Sequence, residues 1–376
     1  MGRAGYDEVV LLTGFPSFAA RRMCEELLGG DEEAGKKTLV HAIVRSKFAS
    51  EAAEALDALP LEQRSRVNLI DGDAAAMDLG LSGDEFRSLA HEVDRIHHVA
   101  QVSYLGVDAK TAEHVNVTGA REILELAEAC SDLKCLVFHS TAHVSGDREG
   151  RVFEEELKAG QSFRNIVEET KGRAEKIVRA AMGHLPIAVV RPSIVVGDST
   201  TGEVDRFDGP YLLILLLLTS PPDFALPLPG RGDAPLNLVP IDFVVRAARA
   251  IGLDARAIGK TFHLVDPSPL SARRVFELVA RAGGRPQPRG FIPANLTKAL
   301  LRAPGLERFA KSPRALLQTF GTDVTYDRGN TDAILAGTDI RCPPFESYVD
   351  RLVEYVQLRL REKRALDEAR VHDPLG

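Results

Sequence analysis

The sequence predicts an α/β protein with a doubly wound parallel sheet and a smaller, mainly helical cap towards the C-terminal end. Short runs rich in Val, Ile and Leu alternate with amphipathic stretches from Glu8 to Arg191, the pattern of βαβ units covered on both faces. The first run enters a glycine-containing turn that opens a helical stretch, as in sheets that bind ligands at the carboxyl ends of their strands. The length of 376 residues suits about two folding units of roughly 150 residues each.

The alternating part of the chain contains six predicted strands and five predicted helices. The strands are short runs rich in Val, Ile and Leu, which is typical of a parallel sheet covered on both faces. The predicted strands are Glu8 to Leu12, Thr38 to Val44, Val67 to Ile70, Arg95 to Val99, Lys134 to His139 and Ile187 to Arg191. The predicted helices are Ala19 to Leu28, Ala49 to Leu59, Gly83 to Glu92, Thr111 to Cys130 and Asn165 to Met182.

The pattern changes after Pro192. An apolar helix from Tyr211 to Leu218 leads into a proline-rich loop, and the sheet pattern returns briefly at KTFHLVD. A long amphipathic helix is predicted from about Phe345 to Arg370. We therefore expect a sheet domain of residues 1–195 plus about 238–266, and a substrate-binding cap of about 196–237 plus 267–376.

Composition and charge exclude several classes of function. The chain has 47 basic and 54 acidic side chains and a formal charge of −7, so no global field favours nucleic acid or an anionic membrane. The longest apolar run, Leu212 to Leu218, is far shorter than the roughly 20 residues of a membrane-spanning helix. No secretory signal opens the sequence, and the four cysteines form no CxxC pair. His97, His98 and His139 lack companions at metal-ligand spacing, so we expect a cytoplasmic protein without a metal site.

The turn after the first strand has the position of a phosphate-binding turn but lacks most of its glycines. Such turns use small residues so that the backbone can approach a diphosphate at the start of the next helix. Thr13 and Gly14 directly follow the predicted strand, and Ser17, Phe18 and Ala20 lie at the start of the next helix. The turn alone is equally consistent with an ordinary strand-to-helix connection.

The end of the second strand indicates which cofactor such a turn would bind. Arg45 stands where an acidic residue would bind a ribose 2′-hydroxyl and where an arginine would hold a 2′-phosphate. This position favours NADP(H) over NAD(H), and a solvated surface arginine is the alternative interpretation.

Several segments, taken in order from about Val9 to Asp266, resemble the extended short-chain dehydrogenase/reductase family. They are LIDGDAAAMDLGLS, IHHVAQVSY, NVTGAREILELA, CLVFHSTAHVSG, NIVEETKGRAEKIVR, VVRPSIVVGDSTTG and LVPIDFVVRA. The branch that they resemble most is that of acyl-thioester and fatty-acyl reductases. The resemblance implies a Rossmann-type fold and a nicotinamide cofactor.

The resemblance also implies roles on the cofactor side of the site. Asp73 would contact the adenine, and Ala100 and Gln101 would line the path of the nucleotide. The segment from Pro192 to Val195 would pass beside the nicotinamide.

On the reacting side, the resemblance implies that Asn116 is a structural or relay asparagine and that Thr141 binds a substrate carbonyl. Lys171 would hold the nicotinamide ribose. The family has a tyrosine four residues before this lysine, in a pattern like NxYxxSKxxAE, whereas this chain reads NIVEETKGRAE and has Val167 there. Valine can neither donate nor accept a proton, and a positioned general acid raises the rate of a reaction by about 10² to 10⁴. Reduction through that tyrosine is therefore excluded.

A first interpretation keeps an NADP(H)-dependent oxidoreductase whose acid has moved to another residue. His143 lies two residues after Thr141, and imidazole ordinarily titrates near neutral pH. Tyr104 follows the fourth strand and is the second candidate. A loop histidine bonded to backbone and a tyrosine that only packs the cleft are the plain alternatives.

Two other interpretations abandon hydride transfer. The chain would be an isomerase, lyase or cyclase whose acid and base come from His143, Glu168 or Glu169, or it would be a non-catalytic nucleotide-binding or scaffold protein. The retained Lys171 favours nucleotide binding, because a buried ammonium group needs a ribose, phosphate or carboxylate partner. An ion pair with Glu168 or Glu175 is the alternative.

The apolar stretch from Tyr211 onwards bears on the substrate. In the resembling family this region forms a wall of the substrate cleft, which favours a small apolar or acyl substrate. A buried core helix or a dimer contact is the plain alternative, because leucine-rich helices pack wherever water is excluded. A homodimer formed by a pair of helices is common among relatives and is a further expectation.

Overall fold

The computed structural model describes residues 5–372, except residues 34, 105, 222, 224, 226, 230, 231 and 293–322. A seven-stranded parallel sheet forms its centre, with the strands in the order β7-β6-β5-β4-β1-β2-β3. The strands are β1 (Glu8–Thr13), β2 (Thr38–Val44), β3 (Val67–Asp71), β4 (Arg95–His98), β5 (Cys135–His139), β6 (Ile187–Pro192) and β7 (Thr261–Leu264). The strand order reverses between β1 and β4, where doubly wound sheets bind their ligands. The predicted fold class is confirmed.

The helices follow the strands closely, and several begin at side chains that cap them. Ser82 and Glu85 form a reciprocal capping box at the start of α3, and the Asn165 side chain accepts from the Glu168 N–H at the start of α5. The helices of the sheet domain's first half are α1 (Phe18–Glu33), α2 (Ala49–Asp57), α3 (Gly83–Glu92), α4 (Ala109–Ala112, a π-helical turn at Glu113–Thr118, then Gly119–Ala129) and α5 (Ile166–Ala181). They are followed by α6 (Tyr211–Thr219), α7 (Ile241–Leu253), α8 (Ala272–Ala282), α9 (Gly329–Leu335) and α10 (Val349–His372), and a short helical turn lies at Leu61–Arg64. In the described part of the chain, no helix is long and apolar enough to cross a bilayer.

The chain forms two compact units, and the first contains the whole parallel sheet. This unit comprises Met1–Ser193, Ile241–Val265 and Thr325–Arg341. Side chains such as Leu11 and Phe138 pack with α3, α4 and α5 on one face, and α1 and α7 contact each other on the other face. Both faces of the sheet are therefore covered, as the apolar strands predict.

The first unit also includes a segment, Thr325–Arg341, that the sequence analysis assigned to the cap. Residues Thr325–Arg341 belong to it because Glu154, fully buried after β5, accepts hydrogen bonds from the Asn330 N–H at 2.6 Å and the Thr331 hydroxyl at 2.7 Å. A buried carboxylate needs such donors, so the segment is held against the sheet domain. Periodicity does not reveal a contact between residues so far apart in the sequence.

The second unit comprises Ile194–Pro240, Asp266–Val324 and Cys342–Gly376. Its core joins α6, α8 and α10, and a short parallel pair forms between Ile194–Val196 and Leu238–Pro240. Most of the apolar helix α6 is buried in this core. A small apolar cavity of about 20 Å³, about the size of one water molecule, lies beside Tyr211 and Phe276.

Candidate functional site

The turn between β1 and α1 brings the backbone of β1 against the chain that leaves β4. Gly14 has a φ of +89°, and a Cβ atom there would lie 2.8 Å from the backbone nitrogen of Ala100. Only glycine fits, because the conformation is left-handed and the space is filled. The exposed Ser17 donates its N–H to the Gly14 carbonyl oxygen at 2.9 Å, and α1 begins at Phe18. The start of α1 thus presents the unpaired N–H groups of a helix N-terminus at the switch point of the sheet.

Thr13 fastens this turn to β4. Its hydroxyl oxygen accepts from the Ala100 N–H at 3.1 Å and lies 3.0 Å from Nδ1 of His98. Both Thr13 and His98 are fully buried, and burial lowers the pKa of His98 to about 3. The Thr13 side chain, predicted as a cofactor contact, is therefore engaged in holding the turn together.

The ends of β2 and β3 form a depression of about 340 Å³. Nε of Arg45 lies 3.3 Å from Oδ2 of Asp73, and both side chains are about one third exposed, at 39% and 31%. Asp73 also accepts from the Ala75 N–H at 3.1 Å. The residue predicted to hold a 2′-phosphate and the residue predicted to contact the adenine therefore lie side by side. The depression is lined by Arg45, Ser46, Lys47, Asp71, Gly72, Asp73 and Gly80.

The loop after β5 carries Thr141 and His143. The Thr141 hydroxyl donates to the Pro192 carbonyl oxygen at 3.3 Å, and its oxygen accepts from the His143 N–H at 3.3 Å. Removal from water, with the positive charges of Arg164 and Lys171, lowers the pKa of His143 to about 4. The ordinary pKa of an imidazole, on which the choice of His143 as acid rested, therefore does not hold here, because burial and then these two charges keep the ring neutral.

Lys171 lies on α5 with 8% of its surface exposed. Among the described residues, its ammonium group has no hydrogen-bond or ion-pair partner. The alternative of an ion pair with Glu168 or Glu175 is wrong, because Glu168 accepts from Nε of Arg164 at 3.1 Å and Glu175 accepts from Nε of Arg191 at 3.0 Å. Burial lowers the pKa of Lys171 to about 8. The site therefore contains a buried cation that protein groups of the described chain leave without an anion.

Val167 occupies a small apolar cluster one helical turn before Lys171. It is 7% exposed and packs with Val102, Val107 and Ala112, and Tyr104 is partly buried against the same cluster. The structure therefore brings the candidate acid Tyr104 next to the position of the missing tyrosine. No proton donor stands at residue 167 itself.

Asn116 lies in the π-helical turn of α4 and joins two parts of the site. Its Oδ1 accepts from the Val102 N–H at 2.8 Å, and its Nδ2 donates to the Thr170 hydroxyl at 2.9 Å. At 2% exposure it is buried between the loop after β4 and helix α5. This arrangement is that of a structural asparagine, one of the two roles that the resemblance implies.

The remaining candidates occupy separate places. Glu168 is buried in its bond with Arg164, and Glu169 is exposed. Gln101 is partly buried in the loop after β4. Val195 belongs to the second unit and is 39% exposed.

The buried histidines form no metal site. His97 and His139 approach each other at 3.4 Å, and burial is the main cause that holds the pKa of His97 well below its usual range and that of His139 at about 3. Throughout the described residues, no group of three His, Cys, Asp or Glu side chains is arranged to hold a metal ion.

Sequence reasoning missed a buried polar network beneath the site. Glu175 accepts from the Ser140 hydroxyl at 2.5 Å and from Nε of Arg191 at 3.0 Å with both carboxylate oxygens. Each of these residues is adjacent to, or one helical turn from, a predicted site residue. The signal was present in the sequence, because ionisable residues inside otherwise apolar segments seldom lie buried without a partner.

Comparison with known proteins places the chain among nicotinamide-dinucleotide-binding domains. The NAD-binding family model described as "Male sterility protein" matches residues 12–248. The fatty acyl-CoA reductase wat of Drosophila melanogaster is 25% identical over 288 residues, covering 66% of this chain and 54% of that protein. A linear gramicidin synthase polypeptide of Brevibacillus parabrevis is 26% identical over 360 residues, covering 91% of this chain and 7% of that protein. The chain thus spans about half of the first relative and a small part of the second.

One solved structure has a similar fold over almost the whole chain. The terminal R domain from the myxalamid PKS-NRPS biosynthetic pathway superposes with a TM-score of 0.78 at 25% identity, covering 95% of this chain and 92% of that chain. The resemblance to extended short-chain dehydrogenases/reductases is confirmed by the family match and by this fold. The chain belongs to the NAD-binding family described as "Male sterility protein".

Proposed function

We propose that the chain is an NADP(H)-dependent reductase of an acyl thioester with an apolar acyl group. The observation that carries the proposal is Lys171, a buried ammonium group that no described protein anion neutralises, beside the loop of Thr141. An unpaired buried cation is costly, and a ribose with its neighbouring phosphates would supply the missing acceptors.

The residues of the first unit fit a nicotinamide dinucleotide. The Gly14 turn has the close backbone approach that a diphosphate requires, and the start of α1 supplies N–H groups for it. The Arg45–Asp73 ion pair is partly exposed to solvent, so breaking it costs little free energy. Its opening would free the guanidinium group for a 2′-phosphate. The residues of the first unit that would hold the cofactor are Gly14, Ser17, Phe18, Arg45, Asp73, Ala100, Lys171 and Pro192.

The chemistry follows from the groups around Thr141. When bound, the reduced cofactor supplies a hydride for the carbonyl carbon of the substrate. The Thr141 hydroxyl, which now donates to the Pro192 carbonyl oxygen, would instead donate to the substrate's carbonyl oxygen. Lys171 has a pKa of about 8 and is protonated at neutral pH, so it places positive charge near the developing oxyanion. The C–S bond then breaks, and the thiolate takes a proton from Lys171 or water to leave an aldehyde.

The substrate class is supported by the relatives. The relative from Drosophila melanogaster is, by its name, a reductase of fatty acyl-CoA, which is an acyl thioester. The cavity of about 20 Å³ in the second unit is too small for an acyl chain, so the proposed substrate class rests on this relative.

Calorimetric titration with NADPH and NADH tests the cofactor. We expect tighter binding of NADPH, and we expect Arg45→Ala to weaken NADPH by about tenfold or more while leaving NADH unchanged, because a charge-assisted bond is lost. Arg87→Ala is the matched control, since Arg87 is an exposed arginine on α3 away from this depression. Equal affinity for both nucleotides, or no effect of Arg45→Ala, would contradict the NADP(H) assignment.

Turnover is tested separately with NADPH and decanoyl-CoA, with the product identified by mass spectrometry. Decanal and free CoA in equal amounts are the expected products. Binding of NADPH without turnover would favour the second candidate, a nucleotide-binding protein without hydride transfer, which the loss of the tyrosine at Val167 supports.

A further inference from the structure

We propose that Ser140, Glu175 and Arg191 form a buried positioning unit that fixes Thr141 and Lys171 relative to each other and withholds Glu175 from the Lys171 ammonium group. The role in catalysis rests on the proposed function, whereas the effect on Lys171 does not. None of the three residues is expected to touch the substrate, so they are positioning residues.

The geometry joins three separate elements at one carboxylate. Glu175 on α5 and Arg191 on β6 are both fully buried, and Ser140, directly after β5, is 3% exposed. Glu175 accepts from Ser140 on one oxygen and from Nε of Arg191 on both. Two further nitrogens of Arg191 donate to the carbonyl oxygens of Glu154 and Glu156, at 3.4 and 2.9 Å. The carboxylate is therefore saturated with donors.

Each member of the unit is attached to one residue of the site. Ser140 directly precedes Thr141, Arg191 directly precedes Pro192, and Glu175 lies four residues after Lys171 on the same face of α5. A hydrogen bond between Ser140 and Glu175 therefore fixes the distance between β5 and α5 just beneath the two reacting groups. Effects of misplacement are large, because a shift of about 1 Å can cost about 10² in rate.

The unit also determines the charge that Lys171 experiences. A glutamate four residues after a lysine on a helix is close enough to form an ion pair. Arg191 takes this glutamate instead, and Arg179 on the same helix lies 3.8 Å from it, so among the described residues the lysine keeps its ammonium group unpaired. Loss of the carboxylate would leave the Arg191 cation without a counterion near Lys171.

The other charged or titratable groups near Lys171 do not mask the effect of Glu175 on the pKa of this lysine. His139 on β5 and His143 after it are neutral above pH 6.5, because their pKa values lie at about 3 and 4. Arg164 and Glu168 at the start of α5 pair with each other, and Asn116 on the packed face of α4 carries no charge. Arg179, one turn after Glu175, pairs with the same carboxylate at 3.8 Å, so removal of Glu175 leaves both Arg179 and Arg191 without it.

Competitive labelling of Lys171 with acetic anhydride in the cofactor-free protein tests this electrostatic role, with the labelled peptide quantified by mass spectrometry across pH. Glu175→Gln is expected to move the midpoint of Lys171 labelling to lower pH by about one unit, because a positive neighbour disfavours the ammonium form. Glu169→Gln removes the same charge from an exposed position of the same helix and should leave the midpoint unchanged. A midpoint that stays in place, or moves equally in both variants, would overturn the proposal.

A double variant separates charge from folding. Glu175→Gln leaves a buried arginine unpaired and is expected to lower the melting temperature, whereas Glu175→Gln with Arg191→Met removes both charges. We expect the double variant to recover part of the melting temperature and to return the Lys171 midpoint to its original pH. A midpoint that remains low in the double variant would contradict the electrostatic account.

The hydroxyl of Ser140 is tested with turnover. Ser140→Ala is expected to lower kcat by about tenfold or more while the Kd for NADPH stays the same, because the carbonyl-binding loop loses its link to α5. Ser145→Ala is the control, since this buried serine of the same loop bonds to Tyr326 instead. Equal effects of both variants would overturn the positioning role. A protein that does not turn over refutes the proposed function, while the labelling experiment still decides the role of Glu175.

Discussion

The burial of one residue, Lys171, lowers the free energy of unfolding of the cofactor-free protein. Its pKa is lowered from 10.5 to about 8 because burial removes the ammonium group from water. Between these two values the unfolded chain binds more protons than the folded chain, so stability rises with pH there. Below pH 8 the lysine is charged in both states, and its burial costs up to about 3 kcal/mol.

We therefore predict that Lys171→Met raises the melting temperature of the cofactor-free protein at pH 7 and weakens NADPH binding at the same time. The apolar side chain removes the buried charge, and it also removes the donor that we propose for the ribose. Calorimetry and thermal unfolding measure the two effects on the same samples. Lys176→Met, which changes an exposed lysine of the same helix, should alter neither quantity. A destabilised Lys171→Met variant would show that the ammonium group has a protein partner.

Val167 gives the second prediction at this scale. Restoring the hydroxyl with Val167→Tyr should raise the reduction of free aldehydes to alcohols, by as much as about 10² to 10⁴, because the alkoxide would then receive a proton from a positioned acid. Val167→Phe fills the same space without the hydroxyl and is the matched control. The rate of NADPH oxidation with decanal measures the effect. A tyrosine variant that binds NADPH but reduces decanal no faster than the phenylalanine variant would mean that the cleft has diverged beyond this position.

At the scale of elements, strands and helices were largely predictable and their tertiary partners were not. The helix Gly83–Glu92 was predicted with its observed ends because Ser82 and Glu85 encode the cap locally. The π-helical turn at Glu113–Thr118 was missed, because its buried Asn116 bonds to groups on other elements. His143 was assigned an ordinary pKa because nothing in its local sequence reveals its burial or the nearby charges of Arg164 and Lys171.

The outer faces of α4 and α5 give a prediction about assembly. The family resemblance leads us to expect a homodimer through a pair of helices, but the exposed positions of α4 and α5 are mainly charged, and Arg173 donates to Glu113 through two bonds at 2.7 and 2.8 Å. Cores of stable protein interfaces are depleted of charged residues. We therefore predict that light scattering after size-exclusion chromatography gives the mass of one chain. A dimeric mass that Arg173→Glu reduces to that of a monomer would contradict this prediction. The exposed charged residues concerned are Lys110, Arg121, Glu125, Glu128, Glu169, Arg173 and Lys176.

At the scale of the whole molecule, the sheet domain contains several buried histidines whose pKa values are lowered by burial. Burial lowers the pKa of four of them to about 3 or 4 and that of His97 well below its usual range of 6.5. A folded-state pKa below the unfolded value means that stability is present above pH 6.5 and is lost as the pH falls towards 4. The four histidines with numerical values are His98, His139, His143 and His263.

This arrangement predicts cooperative acid unfolding well above the pH at which carboxylates titrate. At pH 5 each buried neutral histidine withdraws about 2 kcal/mol of stability, and domains are usually stable by only about 5 to 15 kcal/mol. Circular dichroism during acid titration should therefore show loss of structure between about pH 6 and 5. His97→Leu should move the midpoint to lower pH, because Nε2 of His97 is buried with no hydrogen-bond partner among the residues that the structure describes, and leucine removes the titrating group. His184→Gln, at a side chain that is 60% exposed, should leave the midpoint in place. An acid midpoint near pH 4 that His97→Leu does not change would show that carboxylates, and not the buried histidines, set the acid limit of this fold.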